Sequence, residues 1–339
     1  MILSFYNKPE RDSNMQNSLI LYESKYGTAK KTAEMLGVLL GNTCVCAIET
    51  PPEKIERYQT LLCVFAFYGP DTAKKTKAYL KTVRKNLSDM KLGIVGGGLA
   101  ENDFQTHIDA INEIAGKKAD AACFIGGELR LSVLSEHDLQ ELKRFQKVSG
   151  MEVKDRGSFD VRTVIAAADH MRPIFKVNPA PMEPEKLRTA IEHFIKRHKT
   201  LALATSAGDT PRCTPLEYIY ANDNFYIMTE GGHKFAGVLQ NGKASIGIYD
   251  QYQSMEAVHG LQITADASLV PLFSEEYRSV FAQRGIKQED IQKLPIHLYL
   301  LKLTPALFEF LNADFKKDGY DSKQEYRVST AETREHNKG

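Results

Sequence analysis

Three short segments carry residue types suited to binding an anion and a flat ring. Ser24-Lys25-Tyr26-Gly27-Thr28-Ala29 follows an apolar run and opens a stretch of helical periodicity. Hydroxyls and successive backbone N–H groups at a helix start present unpaired donors and the positive dipole end to a phosphate, and Gly27 permits close backbone approach. An ordinary helix cap by Ser24 or Thr28 is the alternative. Phe67-Tyr68-Gly69-Pro70 and Gly96-Gly97-Gly98 each follow a later apolar run. A tyrosine ring beside glycine can lie on a heterocycle, and glycine N–H groups can meet the ring's polar edge. Taken singly, Tyr68 reads as a half-buried rim residue and the glycines as a turn. Together, at three successive strand ends, they point to flavin mononucleotide (FMN).

A second group lies further on, in Pro211-Arg212-Cys213-Thr214-Pro215 and in FYIMTEGGHK, residues 225–234. Arg212 and Lys234, with the Thr214 hydroxyl between them, can converge on one phosphate, the guanidinium as a planar fork and the ammonium as a mobile point charge. Scattered surface cations are the alternative. Other chemistries find less support. Neither G-x-x-x-x-G-K-[ST] nor G-x-G-x-x-G occurs, which disfavours nucleoside triphosphates and the usual dinucleotide site. No G-x-S-x-G elbow is present, and no acid pair stands out among 43 Asp and Glu. The five cysteines, Cys44, Cys46, Cys63, Cys123 and Cys213, lack a C-x-x-C pair and read as buried small hydrophobes in a reducing cytoplasm. The nine histidines form no tight cluster with them, so no metal site is expected.

The elements that must position these residues are legible in the periodicity. Apolar runs of strand length at 19–22, 44–48, 61–67, 92–95 and 121–125 alternate with helical patterns at 28–40, 72–86, 104–114 and 136–148. This β-α-β-α order predicts a doubly wound parallel sheet whose ligand crevice lies beyond the carboxyl ends of its strands. Pro179, Pro181 and Pro184 mark a boundary. Beyond a helix at 185–197, the period shortens to strands at 201–205, 212–220, 225–229, 244–249, 260–269 and 297–303, which predicts a small antiparallel barrel. The expected division is an N-terminal extension at 1–17, an α/β domain at 18–172, a Pro-rich linker at 173–184, a β domain at 185–315 and a polar tail at 316–339. The fold class is therefore α/β followed by mainly β.

Composition narrows the partners. Among 339 residues, Lys and Arg total 44 against 43 acids, so no excess positive charge favours nucleic acid. Charges interrupt every apolar run before a membrane span accumulates, and the first residues lack a secretory signal, so a cytoplasmic protein is expected.

The run LILYESKYGTAKKTAEML at 19–36 resembles the opening of a flavodoxin, of the branch that includes the menaquinone-linked protoporphyrinogen dehydrogenases. Of the pattern [ST]-x-[ST]-G-x-[ST], Ser24 and Gly27 match, Tyr26 stands at the middle hydroxyl position, and Ala29 stands at the last, with Thr28 beside it as the nearest substitute. The resemblance spans about 18–171 and implies FMN phosphate on residues 24–29, with its ring between Tyr68-Gly69 and Gly96-Gly97. Residues 188–311 resemble the pyridoxamine phosphate oxidase-like split barrels, which generally dimerise and hold FMN at the dimer interface. Arg212, Thr214, Thr229, His233 and Lys234 fall where that superfamily contacts flavin. The carboxy-terminal substrate segment of true pyridoxamine phosphate oxidases is missing, which argues against vitamin B6 oxidation.

The resemblances imply a flavin-dependent oxidoreductase with up to two FMN per chain, a homodimer joined through its barrels, and a small-molecule or protein redox partner. The stretch 307–322 is similar to haem-associated split barrels. This gives an alternative in which the barrel sequesters haem or another planar ligand, with His259 and His336 as the candidate iron ligands. A third reading is a flavodoxin domain emptied by Tyr26 and Ala29 and kept as a scaffold. Substrate, electron donor and direction are not encoded in any motif.

Overall fold

The computed structural model describes residues 18–67, 72–99, 101, 104–150, 152–175 and 180–328. The chain divides into two compact units, Met1–Val177 and Asn178–Gly339.

In the first unit, β1 (Ser18–Glu23), β2 (Thr43–Ala47), β3 (Thr60–Ala66), β4 (Lys91–Gly97) and β5 (Ala121–Phe124) form one parallel sheet in the order β2-β1-β3-β4-β5. The helices are α1 (Thr28–Leu40), α2 (Lys74–Val83), α3 (Phe104–Ala115), α4 (Glu136–Ser149) and α5 (Val161–Phe175). Successive strand residues point to opposite faces, and both faces are covered, which is why the strands read as unbroken apolar runs. Leu19, Leu21, Leu61, Cys63 and Phe65 pack with Leu80 of α2 and Ile108 and Ile111 of α3. Ile20, Leu62 and Val64 pack on the other face with Leu36 of α1 and Val164 and Met171 of α5. The order reverses between β1 and β3, and a ligand crevice opens at such a switch point. A short pair, β6 (Glu128–Leu129) and β7 (Arg156–Gly157), stands apart from the sheet.

The second unit begins with α6 (Pro184–Arg197), whose first residue is the proline that has no N–H to lose there. Its strands are β8 (Thr200–Ala207), β9 (Thr210–Glu217), β10 (Ile219–Ala221), β11 (Asn224–Thr229), β12 (Lys243–Tyr249), β13 (His259–Val270), β14 (Tyr299–Asn312) and β15 (Lys323–Arg327). They pair antiparallel in the order β10-β11-β14-β13-β12-β8-β9, with β15 also on β14, and curl into a split half-barrel. Three helices complete the unit, α7 (Lys234–Asn241), α8 (Glu275–Gln283) and α9 (Gln288–Gln292). The core gathers Leu187, Ile191 and Phe194 of α6 with inward residues of the strands, among them Phe225, Ile246, Ile263 and Phe310.

Several expectations need correction. The linker does not begin at Pro173, which lies inside α5, where burial of Met171 and Phe175 on either side outweighs the lost backbone donor. The strand expected at 212–220 is two, β9 and β10, parted where the Tyr218 N–H donates to Lys199 O at 3.1 Å. The polar tail contributes β15, because Gln324, only 3% exposed, accepts from the Met182 N–H at 3.0 Å and donates to Ala180 O at 3.1 Å. Only Cys63 of the five cysteines is buried; Cys44, Cys46 and Cys123 are half-buried and Cys213 is exposed. Among the described residues, no helix is long and apolar enough to cross a membrane.

Candidate functional site

The loop after β1 turns at Gly27, which holds φ +93° and forms the N-cap of α1. No side chain caps this helix. The Ser24 hydroxyl instead accepts the N–H of Gly27 itself at 3.1 Å, and Thr28 begins the helix. The first helical bond runs from the Lys31 N–H to Gly27 O at 2.9 Å, so the N–H groups of Thr28, Ala29 and Lys30 precede it. A Cβ built on Gly27 meets nothing within 4 Å, so open space lies before the helix start. Ala29, the departure from the hydroxyl pattern, is 3% exposed and packs into the core, so it offers a backbone N–H and no side-chain donor.

Lys25 and Tyr26 turn away to the start of α4. There Ser135 caps the helix by accepting the Asp138 N–H at 3.2 Å. The Tyr26 hydroxyl accepts the Ser135 N–H at 3.2 Å and donates to the Asp138 carboxylate, bridging the two halves of a capping box. Lys25 Nζ lies 2.5 Å from the same carboxylate. The Lys25 ammonium and, next, the Tyr26 hydroxyl hold the Asp138 carboxyl down to about 2. A carboxyl so depressed keeps this tie intact above its ordinary value near 4 and loses it as pH falls toward about 2. Carbon-13 titration of the side chain is expected to give a midpoint near about 2 that rises in Lys25→Ala; a wild-type midpoint in the ordinary range shows that the tie is not made. Glu23, at the end of β1, reaches across the switch point and accepts the Thr76 N–H at 2.8 Å and hydroxyl at 2.9 Å, capping α2. Nothing local in the sequence signals that contact.

Gly96 and Gly97 lie buried at the end of β4, and their carbonyls accept the N–H groups of Ile125 at 3.0 Å and Phe67 at 2.8 Å. A Cβ on Gly98 falls 2.6 Å from the Phe67 ring, and one on Gly96 falls 2.8 Å from Phe104. The glycine run therefore seats Phe67 in an aromatic cluster with His107 and Phe124, at centroid distances of 4.8 and 5.8 Å. Sequence reasoning missed this packing role. Tyr68 and Gly69 lie outside the described residues.

In the second unit the two cations lie within electrostatic reach of each other. Arg212 on β9 stands opposite Thr205 on β8, and the Thr205 hydroxyl donates to the carbonyl of Lys234 at 3.0 Å. Helix α7 lies this close because Gly237 has no Cβ; one would fall 2.7 Å from the Ser206 nitrogen. Lys234 is 8% exposed, and its ammonium donates to Gly231 O. Burial first, and the Arg212 charge after it, push the Lys234 ammonium below its ordinary value, while Glu230 opposes them. Among the described residues, no carboxylate lies within ion-pair distance of either cation. Gly231 and Gly232, with φ of +120° and +110°, carry the chain from Thr229 to α7, and the Thr229 hydroxyl lies 3.4 Å from the Gly231 nitrogen. Thr214 is half-buried two residues from Arg212, and His233 is the exposed N-cap of α7. A nearly buried ammonium at a helix start, with an exposed guanidinium in electrostatic reach and no ion-pair partner among the described residues, suits a phosphate dianion.

His259 occupies a different place. Its Nδ1 lies 2.8 Å from Asp250, and its Nε2 lies 3.3 Å from Asp314, so both ring nitrogens face carboxylates. Asp250 also holds His198 at 2.9 Å and Arg197 at 2.6 Å. This cluster borders a cavity of about 600 Å³ lined by Lys186, His193, Phe194, Arg197 and Phe310. His336 lies outside the described residues.

No curated protein matches the chain. Among solved structures, the haem storage protein HutZ from Vibrio cholerae is 23% identical, with 37% of this chain and 91% of that one covered at a TM-score of 0.30. ChuZ from Campylobacter jejuni is 16% identical over 45% of this chain and 65% of its own, with a TM-score of 0.33. General Stress Protein 26 from Bacillus anthracis is 13% identical over 42% and 98%, at 0.31. Residues 19–154 match the model of the flavodoxin domain, and residues 187–310 match that of pyridoxamine 5'-phosphate oxidase. With the β2-β1-β3-β4-β5 sheet and the curled antiparallel sheet that follows it, the chain is a fusion of a flavodoxin-like domain with a pyridoxamine 5'-phosphate oxidase-like split barrel.

Proposed function

We propose that this protein is a flavin-dependent oxidoreductase that binds FMN through its split barrel. The observation that carries this reading is the nearly buried Lys234, which has no ion-pair partner among the described residues and lies within electrostatic reach of Arg212, with the Glu230 carboxylate also acting on it. Arg212 and Lys234 neutralise the phosphate, and the Thr229 hydroxyl and the glycine turn at 231–232 lie beside it. A second FMN phosphate sits at residues 24–29, where α1 starts without a side-chain cap. FMN when bound supplies the electron transfer, so the protein's part is to hold the phosphate, seat the ring and admit a partner. This division of labour fits a sequence in which no catalytic triad motif or acid pair stands out. Dimerisation through the barrels completes the site, as isologous pairing is the commonest oligomer geometry.

A second reading rests on the cavity at Phe194 and Phe310, whose aromatic walls and flanking Lys186 and Arg197 suit a planar anionic ligand such as haem. One experiment separates the readings. Light scattering of the purified full chain with in-line absorbance is expected to give a two-chain particle with flavin bands and close to two flavins per chain. Haem bands without flavin support the second reading. One flavin per chain supports a flavodoxin domain kept as a scaffold. A monomer without flavin removes the dimer and the flavin site together.

A further inference from the structure

We propose that Cys44 and Cys46 are a site of reversible oxidation, closing to an intrachain disulfide when the protein meets a hydroperoxide. The pair forms a C-V-C run on β2, at the edge of the parallel sheet. Residues two apart on a strand share a face, and here both side chains point toward the Leu19 and Leu21 side. Their sulfurs are 3.3 Å apart. Closing to a bond of about 2.0 Å takes a shift of about 1 Å. Strand β2 is bonded to β1 on one side only, so its backbone can pucker without breaking a second ladder.

Reactivity is unequal within the pair. The two sulfurs share a hydrogen bond in which either can donate, and with Cys46 as the donor that bond outweighs burial and brings the Cys44 thiol down to about 6. Cys46 shifts up, first through its bond to Cys44 and then through burial. With the bond donated in that direction, Cys44 is the nucleophile and Cys46 the resolving partner. Both are half-buried and so reachable by a small oxidant, whereas Cys63 is fully buried and pushed up to about 12 by desolvation. A metal is the less favoured use, because no group of three His, Cys, Asp or Glu that could hold one occurs among the described residues.

The chemistry balances with a hydroperoxide as oxidant. The Cys44 thiolate attacks one peroxide oxygen, an S–O bond forms and the O–O bond breaks. The peroxide takes up two electrons, and the departing hydroxide or alkoxide takes a proton. The Cys46 sulfur then attacks the Cys44 sulfenic sulfur, the S–S bond forms, and hydroxide leaves with the Cys46 thiol proton as water. A dithiol reductant reverses the change.

The test is to treat the full chain with hydrogen peroxide and weigh the unreduced tryptic peptide that holds both cysteines. The expected result is a loss of two hydrogens from that peptide, restored by dithiothreitol. Cys44→Ser should slow peroxide consumption at this site by at least about tenfold, while Cys46→Ser should keep that step and leave a sulfenic acid on Cys44 that dimedone traps. If Cys44 instead advances to sulfinic acid with Cys46 still a free thiol, or both remain thiols while Cys213 is oxidised, the inference is overturned. The mass of the wild-type peptide alone separates these outcomes, whether or not either variant folds.

Discussion

Arg212→Ala and Lys234→Met are each expected to weaken FMN binding at the split-barrel site by at least about tenfold, with Lys243→Ala unchanged. The size of the effect follows from burial. Lys234 is 8% exposed and burial pushes its ammonium below the ordinary value, so a phosphate adds the close counter-charge that the more distant Glu230 only partly provides. Charge-assisted hydrogen bonds of this kind are roughly twice as strong as neutral ones, and removing one partner of a desolvated charged contact typically costs about 2 to 5 kcal/mol. Methionine keeps the aliphatic stem near Phe235 and removes the charge and its bond to Gly231 O, so a loss of binding is not a loss of packing. Lys243 has the same charge but sits exposed on β12 with Asp266 as its partner. The measurement is flavin titration of the full chain, with circular dichroism to confirm folding. If all three variants bind as the parent does, the two cations are a solvated face and the proposed site is wrong.

Gly27→Val is the second large effect, and it acts on the other site. Gly27 holds φ +93°, a region a β-branched residue enters at a cost of about 1 to 3 kcal/mol. A Cβ there collides with nothing, so the strain is in the backbone. Relief by rotation re-aims the N–H groups that open α1, and the added isopropyl group fills the space before them. The variant is expected to fold with its midpoint lowered and to hold one flavin fewer per chain than the parent. The barrel flavin, which depends on Arg212 and Lys234, should be retained. A Gly27→Val protein that folds and keeps its full flavin complement shows that residues 24–29 do not bind the phosphate. The Gly27 and Lys234 variants together assign each flavin to a unit, because their losses should add.

Much of this architecture was legible in the order of residues. Helix α1 spans Thr28–Leu40, as its periodicity predicts, and the five parallel strands fall on the five apolar runs, because a strand covered on both faces has no polar positions to confuse the pattern. The switch point and the loops beside it follow from that alternation. Antiparallel strands such as β13 alternate buried and exposed residues, with turns at 207–209, 221–223 and 241–243 between strands, but the strand expected at 212–220 is two and that expected at 297–303 is only the start of β14.

What the sequence left open depended on contacts between distant residues. Helix α5 is hidden behind Pro173, and only burial against the sheet shows why the breaker is tolerated. Strand β15 reads as a polar tail until Gln324 finds the backbone near Ala180. Tyr26 looks like a defect in a phosphate loop, yet it bridges the cap of a helix more than one hundred residues away. The glycines that end β4 look like ring donors, yet with Gly98 they make room for Phe67. Arg212 and Lys234 are 22 positions apart, and spacing could not distinguish a site from scattered cations. Periodicity encodes which face of an element is buried, since that is a property of neighbours along the chain. Whether Lys234 is buried within reach of the exposed Arg212 is decided only when β8, β9 and α7 pack, and that packing supplies the desolvation of Lys234 on which the proposed phosphate site rests.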